Sequence, residues 1–248
     1  MKISIITATY NSAGTVLDTL KSIEQQSHPD IEHIIVDGGS TDNTLDIVSG
    51  FRHVAKRISE KDGGIYDAMN KGISMAGGEV VGILNSDDVY MNEGVLARVA
   101  REFSDPHVQA TYADLQYVQQ NDLNKIVRTW KTGIFNRRNF YYGWMPPHPT
   151  FFVRREVYNK VGLFDISMRS AADYEMMLRI LLKHEMHTKY IPEVIVKMRS
   201  GGISNASFKN RLMANREDRL AWKKNGLQPY FFTLYAKPIR KISQFLIK

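Results

Sequence analysis

Apolar positions along this chain recur with a period that changes, and the changes mark its elements. Residues 2–7, Lys2-Ile3-Ser4-Ile5-Ile6-Thr7, form a short apolar run that reads as a strand. Residues 13–26 then place Val16, Leu17, Leu20 and Ile23 on one helical face, behind a capping Asn11 or Ser12. The pattern repeats with a strand at 32–37, a short helix at 42–50 and a strand at 53–60. A helix at 65–76 closed by Gly77-Gly78, a strand at 79–84 and a helix at 94–103 follow. Such alternation predicts an α/β fold with right-handed crossovers and a mostly parallel sheet.

Past Pro106 the rhythm becomes less regular. Residues 109–119 and 125–131 read as strands joined by a hairpin turn at Gln120-Asn121-Asp122. The cluster Tyr141-Tyr142-Gly143-Trp144-Met145-Pro146-Pro147-His148-Pro149 has no period and reads as a loop. A strand at 151–153, a helical turn at 156–161, an amphipathic helix at 172–184 and a strand at 189–196 precede a flexible stop at Gly201-Gly202. From Ser207 the period is helical again, broken at Gly226 and Pro229.

Charge separates the end of the chain from the rest. Residues 205–248 hold ten lysines and arginines against two acids, so the net charge of +7 resides there and the first 204 residues stand at −1. Basic segments bind nucleic acid or anionic membrane surfaces. Here the cations Lys237, Arg240, Lys241 and Lys248 interleave with Phe231, Phe232, Leu234, Ile239, Ile242, Phe245 and Leu246, and no nucleic-acid motif occurs. That pattern favours a membrane surface or self-association into a homo-oligomer over nucleic acid. The alternative is a helix that docks its apolar stripe on the main domain. No run approaches the ~20 apolar residues of a membrane span.

The absence of cysteine removes disulfides, thiolate metal sites and a cysteine nucleophile, so any metal must use oxygen or imidazole ligands. The N-terminal run reads as a strand rather than a signal peptide, which predicts a cytoplasmic protein, peripheral at the inner face of the cell membrane.

Acids end the apolar runs or sit beside glycines. Asp37 closes His33-Ile34-Ile35-Val36, the pair Asp87-Asp88 closes residues 80–86, Asp62 precedes Gly63-Gly64, and Asp173 stands at the start of the 172–184 helix. Ligands of open parallel sheets gather outside the carboxyl ends of the strands, so this set predicts a nucleotide and metal site at one sheet edge. Any one of them alone also fits a helix cap or turn residue.

Four strings carry a resemblance: Ile5-Ile6-Thr7-Ala8-Thr9-Tyr10-Asn11, Val36-Asp37-Gly38-Gly39-Ser40-Thr41-Asp42-Asn43-Thr44, the stretch from Ser59 through Asp62-Gly63-Gly64-Ile65-Tyr66-Asp67-Ala68-Met69-Asn70 to Gly72, and Leu84-Asn85-Ser86-Asp87-Asp88. Over residues 1–204 the chain resembles the family 2 glycosyltransferases, in particular those of bacterial polysaccharide and colanic acid biosynthesis. The resemblance implies a GT-A fold, a single Rossmann-like domain. Residues 1–105 would be its nucleotide-sugar donor half, 106–204 its acceptor half, and 205–248 a helical, basic, amphipathic tail. It implies inverting, metal-dependent transfer of a sugar from a nucleotide-sugar, with UDP favoured, to a glycan or lipid-linked acceptor hydroxyl. The processive Gln-x-x-Arg-Trp signature is missing, which fits a single addition in polysaccharide or glycolipid assembly. The alternative is a nucleotide-sugar binding protein without transferase activity.

By motif position, Asp37 and Asp62 resemble the acids that contact the nucleoside, with Thr7, Thr9 and Asn11 lining the same pocket. Asp42 reads as a helix cap, and Lys71 either meets a phosphate or is solvated. Asp87 and Asp88 resemble the metal-binding acids, Asp88 the direct ligand, and carboxylates suit Mn²⁺ or Mg²⁺. Asn85 stands where a strict Asp-x-Asp has its first acid, and with Asp87 faces the diphosphate. Asp173 resembles the catalytic carboxylate, although Glu175 lies close and Ala172 occupies a position acidic in many relatives. His148, with Trp144 and Tyr142, is expected on the acceptor side. Arg199, Ser200, Gly201, Gly202 and Ser204 form either a lid over the diphosphate or an ordinary basic turn.

Overall fold

The structure, a computed structural model, describes residues 1–201, 208–240 and 244. The first half runs β1 (Ile3–Thr9), α1 (Val16–Glu24), β2 (Ile31–Asp37), α2 (Thr44–Ser49), β3 (Val54–Ser59), α3 (Ile65–Met75), β4 (Val80–Ile83), β5 (Val89–Tyr90) and α4 (Val95–Glu102). The second half adds β6 (Ala110–Gln119), β7 (Asp122–Trp130), α5 (Arg137–Tyr141), β8 (Phe152–Arg154), α6 (Arg155–Val161), α7 (Ala172–Leu178), β9 (Thr188–Arg199), α8 (Phe208–Lys224) and α9 (Thr233–Arg240).

One sheet joins both halves in the order β3-β2-β1-β4-β8-β6-β9-β5, with β7 paired to β6. β3, β2, β1 and β4 run parallel, as does β9 beside β6, so most of the pairing is parallel. β8 enters antiparallel between β4 and β6. Alternate residues of β1 feed two cores: Ile6 packs with Ile34, Val36 and α3, while Ile3 and Ile5 pack with Val80 and α4 on the other face. Burial on both faces explains why these strands read as continuous apolar runs. Helix α3 lies so close to β1 that a Cβ on Gly72 would stand 2.3 Å from Ile6 Cγ2.

Several boundaries differ from the sequence pattern for identifiable reasons. α1 begins at Val16 because the N–H groups of Thr15 and Val16 both donate to the Ser12 carbonyl, forming a turn before the helix. The β6–β7 hairpin turns at residues 120–121, and Asp122 already pairs with Gln119. The aromatic cluster is not all loop, since it begins inside α5 and ends in a 3-10 turn at His148–Thr150.

The 172–184 segment is not amphipathic. Ala172, Tyr174, Glu175, Met176, Met177, Leu178, Ile180, Leu181 and Leu182 are all buried, and the last turn winds as a π-helix at Arg179–Lys183. α8 covers it from outside: Trp222 is fully buried and its Nε1–H donates to the Tyr174 hydroxyl at 2.9 Å. The start of the basic tail is thus a layer of the domain. Ile242, Phe245, Leu246, Lys241 and Lys248 lie outside the described residues.

Candidate active site

The parallel strands β1, β2 and β4 end at one edge, and the loops that follow them converge there. Asp37 closes β2 with its carboxylate fully buried and saturated by five donors. Oδ1 accepts from Thr9 Oγ1 at 2.9 Å and Ser40 Oγ at 2.5 Å; Oδ2 accepts from Gly39 N at 3.1 Å, Ser40 N at 2.9 Å and Ser59 Oγ at 2.7 Å. Burial works to raise its pKa, yet the donors from Ser40, Ser59 and Thr9 outweigh it and the shift is downward. An anion so enclosed shapes the β2 turn from within.

Thr7 and Thr9 are engaged within the protein as well. Thr9 is spent on Asp37, and the buried Thr7 hydroxyl bonds His33 Nε2 at 3.0 Å. The His33 Nδ1 in turn meets His53 Nε2 at 3.1 Å, carrying a polar chain away from the site edge. Solvent instead meets Asn11, whose positive φ of 47° turns the β1 loop and whose Oδ1 accepts from Thr41 N at 2.9 Å. Asp62 reaches the same place from the β3–α3 turn: a Cβ on residue 38 would lie 2.8 Å from its Oδ2, so glycine there lets the half-buried carboxylate in. Asp42 stands one residue before the α2 cap position, Asn43, and ties the two loops together by accepting from Thr44 N and Ala13 N at 3.0 Å each. Lys71 is held by Glu60 at 2.8 Å and Asp67 at 3.4 Å.

The loop after β4 is a turn in which Asp88 N donates to the Asn85 carbonyl at 3.1 Å. It is clamped by Thr19 Oγ1 donating to Asp88 O at 2.7 Å and by Arg199 Nη1 donating to Asp87 O at 2.8 Å. Arg199 is itself buried, tied also to Gln120 O and to Asp18 Oδ2 at 2.9 and 2.5 Å. Ser200 N donates to Val118 O. Arg199, the last residue of β9, and Ser200, in the turn just after it, are therefore tied to the sheet as framework; Gly202 and Ser204 lie outside the described residues.

Asp88 is fully buried, and Asn85 Nδ2 donates to its Oδ2 at 3.1 Å. Its Oδ1, and the Asn85 Oδ1, are buried with no hydrogen-bond partner. Burial, then the neighbouring Asp87 charge, pushes the Asp88 carboxyl well above the ordinary range, against the Asn85 donor and the Arg199 charge. Burial raises Asp87 as well. Two orphaned oxygens beside two charge-starved carboxyls suit a hard cation. Among the described residues no group of three or more acids and histidines gathers, so other ligands to such an ion would have to come from substrate and water.

Asp173 stands in the first turn of α7, half-buried. Its Oδ1 accepts from Tyr66 OH at 3.2 Å and from Tyr174 N at 2.8 Å. Burial first, and the Asp173 charge second, raise the Tyr66 pKa far above that of a free phenol, so the phenol keeps its proton and donates. Glu175 is a different kind of acid. It is buried in an ion pair with Arg179, whose Nε donates at 3.0 Å, and it accepts from Asn225 Nδ2 at 3.1 Å. Asp173 is the more exposed of the two acids.

His148 is half-buried against the Phe164 ring at 5.9 Å, near enough to Asp173 that the carboxylate partly offsets the lowering of its pKa by burial. Its loop companions are elsewhere. Trp144 is a core residue whose Nε1–H donates to Thr132 O at 2.7 Å, and Tyr142 packs on Tyr230 and Phe232. A cleft of about 510 Å³ adjoins Tyr66, between Gly63–Asp67 and residues 166–169.

The sequence reading passed over two residues. Tyr117 on β6 is partly buried; burial raises its pKa, the Arg128 charge opposes this, and the charges of Asp88 and Asp173 add to it. The Arg128 guanidinium stacks 3.6 Å from that ring's centre. No motif surrounds either one. Tyr66 did lie within a quoted string, three residues after Gly63.

A mostly parallel α/β sheet with acid-lined loops at one edge is a GT-A fold, and the protein is a glycosyltransferase. Residues 4–162 match the model of glycosyl transferase family 2, and the chain belongs to that family. It is 32% identical over 209 residues to the "PGL/p-HBAD biosynthesis glycosyltransferase" of Mycobacterium tuberculosis, covering 82% of this chain and 78% of that one. Its fold matches Staphylococcus aureus TarS solved with UDP (TM-score 0.70, 21% identity, 98% of this chain and 72% of that one). It also matches the mannosyltransferase PcManGT from Pyrobaculum calidifontis with GDP-Man and Mn²⁺ (TM-score 0.68, 20% identity, 95% and 68%).

Proposed function

We propose that the protein is an inverting, divalent-metal-dependent transferase that moves one sugar from a nucleotide-sugar to an acceptor hydroxyl in bacterial polysaccharide or glycolipid assembly. Residues 1–105 serve as the donor half and 106–204 as the acceptor half. The observation that carries the reading is the pair of orphaned oxygens on Asp88 and Asn85, set in the loop that Arg199 clamps, with the Tyr66-bound Asp173 as the open acid of the acceptor half.

Asp62 and Asn11 contact the nucleoside, with Asp37, Thr9 and Thr7 holding their loops from behind. UDP is the favoured donor nucleotide, in keeping with the UDP that TarS holds. Asp88 and Asp87 hold Mn²⁺ or Mg²⁺, in keeping with the Mn²⁺ of PcManGT. Bound there, the ion would offset the negative charge that grows on the departing diphosphate. Asp173 takes the acceptor proton as its oxygen attacks the anomeric carbon. Oδ1 is occupied by Tyr66 and Tyr174, and no group among the described residues donates to Oδ2, which is left to face the hydroxyl. Positioned base catalysis of this kind contributes about 10²–10⁴ in rate. His148 lines the acceptor side.

The test is release of nucleoside diphosphate from a panel of nucleotide-sugars with Mn²⁺, with and without glycan or lipid-linked acceptors. Asp173→Asn is expected to abolish transfer while leaving donor binding intact. Undiminished transfer by that variant would remove Asp173 from the mechanism.

A further inference from the structure

Helix α9 is inside out for a helix that faces water, where polar residues normally line the outer side. Its central cation, Lys237, points inward, with Nζ donating to both Asp218 carboxylate oxygens at 2.9 and 2.8 Å and lying 3.6 Å from the centre of the Tyr174 ring. Thr233 and Leu234 are buried beside it. The outer face carries Tyr235 and Ile239, one helical turn apart and exposed by 61% and 64%, and Phe231, in the turn just before the helix, is exposed by 88%. Tyr230 and Tyr142, each about half exposed, widen the stripe, with Phe232 packed 5.5 and 5.6 Å from their rings.

A second feature adjoins it. A cleft of about 440 Å³ opens between Arg219, Lys223 and the Gly226-Leu227-Gln228-Pro229 turn, which leads straight into Tyr230. Arg219 and Lys223 are exposed and one turn apart on α8. Exposed aromatic and aliphatic side chains in a contiguous patch mark an interaction surface.

We infer that this face rests on an anionic phospholipid bilayer. Phe231, Tyr235 and Ile239 enter the boundary between headgroups and acyl chains, and Arg219 and Lys223 meet lipid phosphates. Aromatic anchors flanked by cations suit that boundary, where rings bury their bodies and keep hydroxyls wet. A second copy of the chain fits less well. Two-fold pairing would set this cation-rich face against itself, and lysines are depleted from protein interfaces. The chain would lie on the bilayer, since among the described residues no helix is long and apolar enough to cross one. The inference does not depend on the transfer reaction proposed above.

Vesicle flotation of the full chain tests it, using phosphatidylcholine vesicles with and without phosphatidylglycerol. The wild type is expected to float with the anionic vesicles at physiological salt and to stay behind with the neutral ones. Changing Phe231, Tyr235 and Ile239 together to Ser should weaken flotation about tenfold or more, given the apolar area withdrawn from the boundary. R219E combined with K223E should remove the preference for anionic lipid. Unchanged melting temperatures establish that the variants fold, and Phe231→Ser alone serves if the triple change does not. The inference is overturned if the wild type ignores anionic vesicles or if the apolar variant floats equally well. It is also overturned if the same substitutions instead convert a dimer to a monomer in sedimentation without altering flotation.

Discussion

The Tyr66 hydroxyl donates to Asp173 Oδ1 at 3.2 Å across 107 residues of sequence. Tyr66 belongs to the helix that the Asp62-Gly63-Gly64 turn opens, and its ring stacks on Phe164 at 5.7 Å. Asn70, one turn further along, donates to the Phe164 carbonyl and accepts from its N–H, both at 2.9 Å. Helix α3 thereby holds the proposed base from the donor side of the molecule. Tyr66→Phe is expected to lower kcat about tenfold with little change in donor KM, the loss typical of one hydrogen bond to a charged group. Steady-state kinetics with varied donor checks the split.

Asp173 and Glu175 lie two residues apart and should fail differently. Asp173→Asn leaves the melting temperature near that of wild type and removes turnover. Glu175→Ala takes the carboxylate from the mostly buried Arg179, leaving it only the Val161 and Leu163 carbonyls, and should destabilise by roughly 3 kcal/mol. Urea denaturation of both variants, compared with their activities, distinguishes a reacting acid from a structural one.

Two glycines predict opposite kinds of damage. A methyl at Gly38 collides with the Asp62 carboxylate, a movable target, so Gly38→Ala should weaken nucleotide binding with small effect on stability. A methyl at Gly72 collides with the packed Ile6 side chain, so Gly72→Ala should lose about 1–3 kcal/mol of stability. Calorimetric titration with UDP and thermal melts of the two variants check both.

The His33–His53 pair makes the fold sensitive to acid. Burial lowers His33 from 6.5 to about 3, and it lowers His53 against the opposing Glu24 charge. A histidine kept neutral when folded takes up a proton only on unfolding, so its contribution is complete above the unfolded pKa near 6.5 and is lost as pH falls from there towards about 3. Melting temperature should drop across that window. In His33→Asn, which can still bond Thr7, the drop should be shallower.

The first hundred residues were legible because burial on both faces of β1, β2 and β4 leaves an uninterrupted apolar signature, and the helices between them repeat at 3.6. Where pairing at a distance decides, the pattern was silent. β5 is two residues long and exists because β9 pairs with it. Arg199 sits in the frame of the acidic loop because it meets Asp18 across 181 residues. The motif strings fall at the sheet edge where β1, β2 and β4 end, and on the loops and helix that follow. They did not reveal that Asp37 and Thr9 bond each other. The 172–184 segment read as amphipathic because Glu175 and Arg179, polar positions in α7 and in the π-helical turn after it, bond one another.

The enclosure of Asp37 also bears on how new donor specificities could arise. One carboxylate fastens the ends of three segments, through Thr9, Ser40 and Ser59, so these positions form a chassis that tolerates little exchange. Variation has more room at Asn11, Thr41 and Asp62, which border the same space, are more exposed and make fewer bonds, Asn11 Oδ1 accepting from Thr41 and Asp62 Oδ1 from Gly64 N. A combinatorial library confined to those three sites would search nucleotide preference while leaving the scaffold intact.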